Sequence, residues 1–262
     1  MERLRRALRG VLGYNSPIYR AASHFTNFAN VVGAEGPAAW RILRKLASSC
    51  GPGDAVALKL RKLDHPILLR PGTEDASTII HTVVREEYGN LKPAREPEVM
   101  IDAGAYIGDT SAYFLSRFKN LRIVAVEPSR ESYEAARANL TAYGDRVILL
   151  NKGLAARAGR LKFAGNTTGA SLGEDGEEID CTSVLELMAT FGLARVDILK
   201  MDIEGAETGI FRTDVEQWLP RVENVLIELH GPEAEQVVLG TLRAAGFVIR
   251  QHRSVHYCSR ER

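Results

Sequence analysis

Hydrophobic positions follow two rhythms along this chain. In the first hundred residues they recur mostly at helical spacing. Leu4, Leu8 and Leu12 lie four apart among Arg3, Arg5, Arg6 and Arg9, which predicts an amphipathic basic helix over residues 1–13. Ala38–Ser48 reads as a further helix, stopped by Gly51-Pro52-Gly53. Ala55–Leu60 and Ile67–Leu69 read as strands joined through Asp64-His65-Pro66, and Thr78–Glu87 as a helix with Asp75 or Ser77 as its N-cap. The polar, proline-containing stretch Lys92–Pro97 marks a boundary, so the expected division is a helical and β-hairpin extension over 1–95 and a second domain over 96–262.

From Val99 the rhythm changes. Short apolar runs at 99–102, 122–127, 147–151, 196–201 and 222–229 alternate with helical stretches at 109–118, 129–142 and 233–245. Ser183-x-x-Glu186 is a capping-box pattern that opens one more helix. Phe247–Arg250 and Val255–Tyr257 read as a closing antiparallel pair. A strand near Leu161–Phe163 and a glycine-rich loop from Gly165 to Gly176 interrupt the alternation. Strands alternating with helices predict an α/β fold: a mostly parallel sheet with helices on both faces.

Candidate chemistry collects where these strands end. The first apolar run ends in Asp102 and turns through Gly104 and Gly108 into a helix, the form of a strand–turn–helix that receives a nucleotide-like ligand. Gly104 lets backbone approach a ligand without a Cβ in the way. Glu127 closes the next run 19 residues past Gly108, the spacing of an acid that accepts two hydrogen bonds from a ribose diol. A dinucleotide site requires Gly-x-Gly-x-x-Gly, but Tyr106 stands where the second glycine belongs and would obstruct a pyrophosphate. That disfavours an NAD-dependent oxidoreductase. S-adenosyl-L-methionine, which carries no phosphates, fits better.

A second block, Val196–Glu207, delivers Asp202, Glu204 and Glu207 to one strand end. Carboxylates this close must be solvated, hydrogen-bonded or paired with a cation. Strand alternation is read here as turning Lys200 to the opposite face, away from them. The following strand ends in Glu228 and His230. An acid and an imidazole flanking one cleft suit proton removal from a hydroxyl, with Asp202, Glu204 and His230 as the catalytic candidates. A divalent ion held by Asp202, Glu204, Glu228 and His230 is the less favoured alternative, and no metal site is assigned.

Composition narrows the partners. Thirty-four Lys+Arg against 33 Asp+Glu give a net charge of +1, so nothing global argues for nucleic acid. Cys50, Cys181 and Cys258 lie far apart, which reads as reduced thiols in a cytoplasmic protein. No apolar run reaches the roughly 18 residues of a membrane span, and the basic N-terminus lacks the apolar segment of a secretory signal.

At Ile101–Thr110, Val126-Glu127-Pro128, Leu199–Glu207 and Ile227–His230 the chain resembles the FkbM family of S-adenosylmethionine-dependent methyltransferases. Leu69–Asp75 and Glu87-Tyr88 resemble the family's lead-in, so the likeness spans roughly residues 55–250. The resemblance implies a Rossmann-like class I methyltransferase fold of seven strands and O-methylation of a small-molecule or glycan hydroxyl, in sugars, glycosides or polyketide-type products. It also implies cofactor contacts from Asp102, Gly104, Ala105, Tyr106, Gly108, Glu127, Pro128, Gly153 and Asp202, with Glu204 and His230 toward the acceptor. Tyr106 departs from the family, in which that position is often Asn. The loop Gly165–Ser171 is expected to fold over the acceptor. The N-terminal helices offer a route to a homodimer. A non-catalytic adenosyl-binding scaffold is the rival of a different class.

Overall fold

The computed structural model describes residues 17–49, 51, 53–164, 171–173, 177–203 and 205–260, the side chains of 17–21, 163–164 and 171–173 aside. The expected basic helix at 1–13, Cys50, most of the glycine-rich loop and Glu204 lie outside them. The chain divides into two compact units, Met1–Arg85 and Glu86–Arg262.

In the first unit, α1 (Pro17–Glu35) and α2 (Pro37–Ala47) are followed by the hairpin β1 (Val56–Leu58) and β2 (Ile67–Leu69). Val31, Leu43, Leu46, Leu60 and Leu69 form its buried side. The single helix expected at 78–87 is instead α3 (Asp75–Ile79) running into a π-helical turn, Ile80–Val84, with Arg85 N–H reaching back to Ile80 O. Arg70 explains the early start: its guanidinium and backbone N–H clamp Asp75 Oδ1 and Oδ2 at 2.8 Å. The wider turn of the π-helix is a local change of pitch that periodicity alone does not announce.

The second unit holds the alternating fold. Its strands are β3 (Val99–Ala103), β4 (Arg122–Val126), β5 (Val147–Leu150), β10 (Val196–Met201), β11 (Val222–Glu228), β12 (Phe247–His252) and β13 (Val255–Arg260). They form one sheet in the order β12-β13-β11-β10-β3-β4-β5, parallel except for β13. The helices are α4 (Asp109–Arg117), α5 (Arg130–Leu140), α6 (Val184–Thr190), α7 (Glu207–Arg212), α8 (Val215–Trp218) and α9 (Pro232–Ala244). Right-handed crossovers on either side of the reversal between β3 and β10 send α4 and α5 to one face and α7 and α9 to the other.

All six residues of β10 are buried, as a central parallel strand requires. Ile101, Val124, Leu199 and Val225 join the core that α6, α7, α8 and α9 cover through Leu187, Phe211, Trp218 and Leu242. Phe211 packs edge-on against Trp218 with ring centroids 5.3 Å apart. A smaller sheet of β6 (Gly153–Leu154), β9 (Glu177–Thr182), β7 (Gly159–Ala164) and β8 (Ser171–Gly173), in that order, fills the interval that broke the sequence rhythm. Ser183 then caps α6, accepting from Glu186 N–H at 3.2 Å, as the capping box predicts. Among the described residues no helix is long and apolar enough to cross a membrane.

Candidate functional site

The carboxyl ends of β3, β4, β10 and β11 bring the predicted residues to one edge, beside the point where strand order reverses. Gly104 and Ala105 donate their N–H groups to Val126 O, both at 3.0 Å, tying the end of β3 to the end of β4. Gly104 has φ 78°, and a Cβ there would stand 1.9 Å from Asp202 O. Its missing side chain therefore admits the protein's own backbone, the end of β10, where the sequence pointed to a ligand. Gly108 has φ 80° and caps α4 in the left-handed region.

Tyr106 also lies in that region, at φ 48°. Asn tolerates this conformation far better than a ring-bearing residue does. The Tyr106 N–H donates to Glu127 Oε2 at 2.8 Å, and Ser129 N–H donates to Oε1 at 2.9 Å. Glu127 is buried, and burial pushes its carboxyl up to about 7 against the pull of those two N–H groups and of Lys200. Each carboxylate oxygen keeps a lone pair for a hydroxyl donor. Asn151, which the sequence did not single out, secures the turn by donating to Glu127 O at 2.9 Å and Pro128 O at 3.0 Å. Gly153 lies in β6, paired with Cys181 of the small sheet.

Asp102 is fully buried. Its Oδ2 accepts from Ser111 Oγ at 2.7 Å and its Oδ1 faces Lys200 Nζ at 3.3 Å. The expectation for Lys200 is corrected. Residues 200 and 202 are two apart and so share a face, and the register sets Lys200 beside Asp102. Its ammonium also donates to Gly104 O at 2.6 Å and Ala103 O at 3.3 Å. Burial alone would lower its pKa, but Asp102, Asp202 and Asp109 outweigh burial and raise it. A buried cation thus sits under the glycine turn and partly neutralises the acids above it.

Asp202 is half-buried, its N–H anchored on Ala103 O at 3.1 Å. β10 and β11 are neighbours in parallel, so His230 does come to the edge that carries Asp202. His230 Nδ1 lies 2.9 Å from Glu207 Oε1, and Nε2 lies 4.0 Å from Asp202 Oδ1. Glu228 is pushed up to about 8 by burial, then by Asp202 and Glu87. Tyr88, buried beside the same acids, has its phenol raised well above the usual value, first by burial and then by Asp202 and Glu228. Sequence reasoning missed Lys200, Tyr88 and Asn151. For Lys200 the signal was available in the strand parity; for the other two it was not.

The donor set suits an adenosyl group. Glu127 offers a carboxylate for a diol, and the turn at 104–108 has Tyr106 where a pyrophosphate site needs its second glycine. Among the described residues no cluster of three or more His, Cys, Asp or Glu could hold a metal ion. Two cavities lie elsewhere. One of about 210 Å³ is lined by Ala155–Ala158, Ser183 and Trp218, and one of about 60 Å³ by Lys92–Arg95 and Asp197.

A model of the methyltransferase FkbM domain matches residues 102–249, more than half of the chain. Methyltransferase sdnD of Sordaria araneosa is 27% identical over 197 residues, covering 59% of this chain and 75% of that protein. The 31-O-demethyl-FK506 methyltransferase FkbM of Streptomyces tacrolimicus is 27% identical over 194 residues, covering 59% of this chain and 74% of that protein. A solved methyltransferase FkbM from Methylobacillus flagellatus matches with 20% identity and a TM-score of 0.48. It covers 65% of this chain, which spans 45% of that longer one.

Proposed function

This chain belongs to the FkbM family of methyltransferases, and on that premise we propose that it methylates a hydroxyl of a small molecule, a sugar, glycoside or polyketide-type product, with S-adenosylmethionine as donor. The observation that carries the reading is the shared edge: the Tyr106–Glu127 turn and the His230 imidazole stand at the ends of strands on either side of the reversal. The relative named for 31-O-demethyl-FK506 supports oxygen as the target atom.

S-adenosylmethionine, when bound, supplies an electrophilic methyl group on a sulfonium. Glu127 would hold the ribose hydroxyls, and Asp202 with the turn at 104–106 would border the rest of the cofactor. His230 would take the acceptor's hydroxyl proton. Asp202 Oδ1 stands 4.0 Å from His230 Nε2 and favours the imidazolium that results. Lys200 keeps the turn in place from beneath through Gly104 O. We assign the reaction to the cytoplasm, in keeping with its thiols.

The test is incubation of the purified chain with S-adenosylmethionine and a panel of glycosides and polyketides, read by mass spectrometry. A product heavier by one methylene (about 14 Da), absent in His230→Ala, is the expected result; His230→Ala should lower turnover about 100-fold or more with cofactor affinity retained. Tight binding of S-adenosylhomocysteine with no turnover on any hydroxyl would favour a scaffold protein instead.

A further inference from the structure

We propose that the N-terminal helical region docks on an anionic lipid surface, through the exposed face of α1 and α2, without spanning it. The proposal is independent of the chemistry at the strand edge, since residues 1–49 lie outside the family match at 102–249. Charge is the first observation. Residues 1–49 hold eight Lys+Arg against two Asp+Glu, whereas the whole chain carries only +1. The rest of the chain is therefore net acidic, and the basic excess is gathered in this one region.

Exposed aromatic surface is the second. Phe25 is 59% exposed and Phe28 40%, and they stand about one turn apart on α1 with ring centroids 6.5 Å from each other. Phe28 meets Trp40 of α2 edge-on at 5.5 Å, and His24 meets the same ring at 5.0 Å. Along α2, Ala39, Trp40, Leu43 and Leu46 turn inward and leave Arg41, Arg44 and Lys45 exposed. Among the described residues none of these three cations forms an ion pair. Two phenyl rings in water beside uncompensated cations are what a headgroup layer accepts: the rings enter its apolar side and the cations meet its phosphates. The sequence at 1–13 repeats the pairing, with Leu4, Leu8 and Leu12 set among four arginines. A second copy of this face would bring like charges together, which disfavours self-association here. A nucleic acid would satisfy the cations but leave the leucine repeat without an apolar partner.

The test is flotation of the full chain with vesicles of phosphatidylcholine alone or with about 30% phosphatidylserine. The chain is expected to float only with the anionic vesicles, and to be released as salt rises from roughly 0.05 to 0.5 M. Phe25→Ser with Phe28→Ser should lower the bound fraction about 10-fold, and so should Arg41→Glu with Arg44→Glu and Lys45→Glu. All five positions are exposed, and circular dichroism checks that both variants keep the fold. No flotation with phosphatidylserine, equal flotation with phosphatidylcholine alone, or binding unmoved in either variant overturns the proposal. The wild-type comparison of the two vesicles decides even if a variant fails to fold. Analytical ultracentrifugation and a single-stranded RNA oligonucleotide test the other occupants. A dimer broken by the phenylalanine changes, or RNA bound in place of vesicles, assigns the face to those partners and overturns the lipid reading.

Discussion

Lys200 Nζ stands 3.3 Å from Asp102 Oδ1, and neither side chain is more than 3% exposed. The pair fixes the turn at the end of β3 because the same ammonium holds Gly104 O. Lys200→Met leaves the carboxylate buried and uncompensated, at a cost of about 3–5 kcal/mol. Combining it with Asp102→Asn should cost clearly less than the sum of the two single changes. Urea denaturation of the four proteins measures the coupling; strict additivity would mean that the contact contributes nothing.

Tyr106 holds a left-handed backbone conformation that a β-carbon-bearing ring residue adopts only under strain. Tyr106→Asn is expected to stabilise the unliganded fold by about 0.5–1 kcal/mol. The Glu127–Tyr106 N–H bond, a backbone contact, remains. Thermal melting decides it, and a lowered midpoint would refute the strain.

Glu127 makes stability fall as pH rises. Its folded pKa of about 7 lies above the ordinary 4.5, so the folded chain binds the proton more tightly than the unfolded one. Its contribution is fully present below about pH 4.5 and is lost as pH climbs through about 7, on the order of 3 kcal/mol in all. Glu127→Gln should flatten that part of the pH–stability profile. The same change should weaken S-adenosylhomocysteine binding by about 1–3 kcal/mol, through the lost charge-assisted hydrogen bonds. Calorimetry reads both.

Asp197 works in the opposite sense at the other end of β10. Burial pushes its carboxyl up, but Arg195 and the N–H groups of Glu98 and Val99 outweigh burial and lower it. Its stabilisation is present above about pH 4 and is lost as pH falls through the lowered folded value. Asp197→Asn should remove that acid sensitivity and destabilise the neutral protein by about 1–3 kcal/mol. Denaturant titrations at several pH values separate the two effects.

These residues mark how far the sequence could be read. The strands at 99–103, 122–126, 196–201 and 222–228 were legible because a parallel sheet covered on both faces needs continuous apolar runs. His230 and Asp202 could be brought together in advance because adjacent parallel strands end on the same edge. Lys200 was misread: a polar residue in a buried run looks like one turned away, while its long side chain in fact reaches the edge and pairs with Asp102. Gly104 was recognised for close approach, but which backbone approached it depended on the neighbour of β3, a contact nearly 100 positions distant. The contact between Glu207 and His230 was invisible for the same reason. The placing of Gly153 in the small sheet followed from pairings that no local pattern encodes.

The 1.9 Å between a hypothetical Gly104 Cβ and Asp202 O has a consequence for engineering and descent. The glycine turn after β3 and the acidic loop after β10 cannot be exchanged independently between relatives. A graft of residues 202–207 that lifts the strand end would leave a gap over Gly104, and one that lowers it would collide with the turn. The two segments form a single cassette, so chimaeras that cross over between them should fail to fold, whereas crossovers that keep both should not.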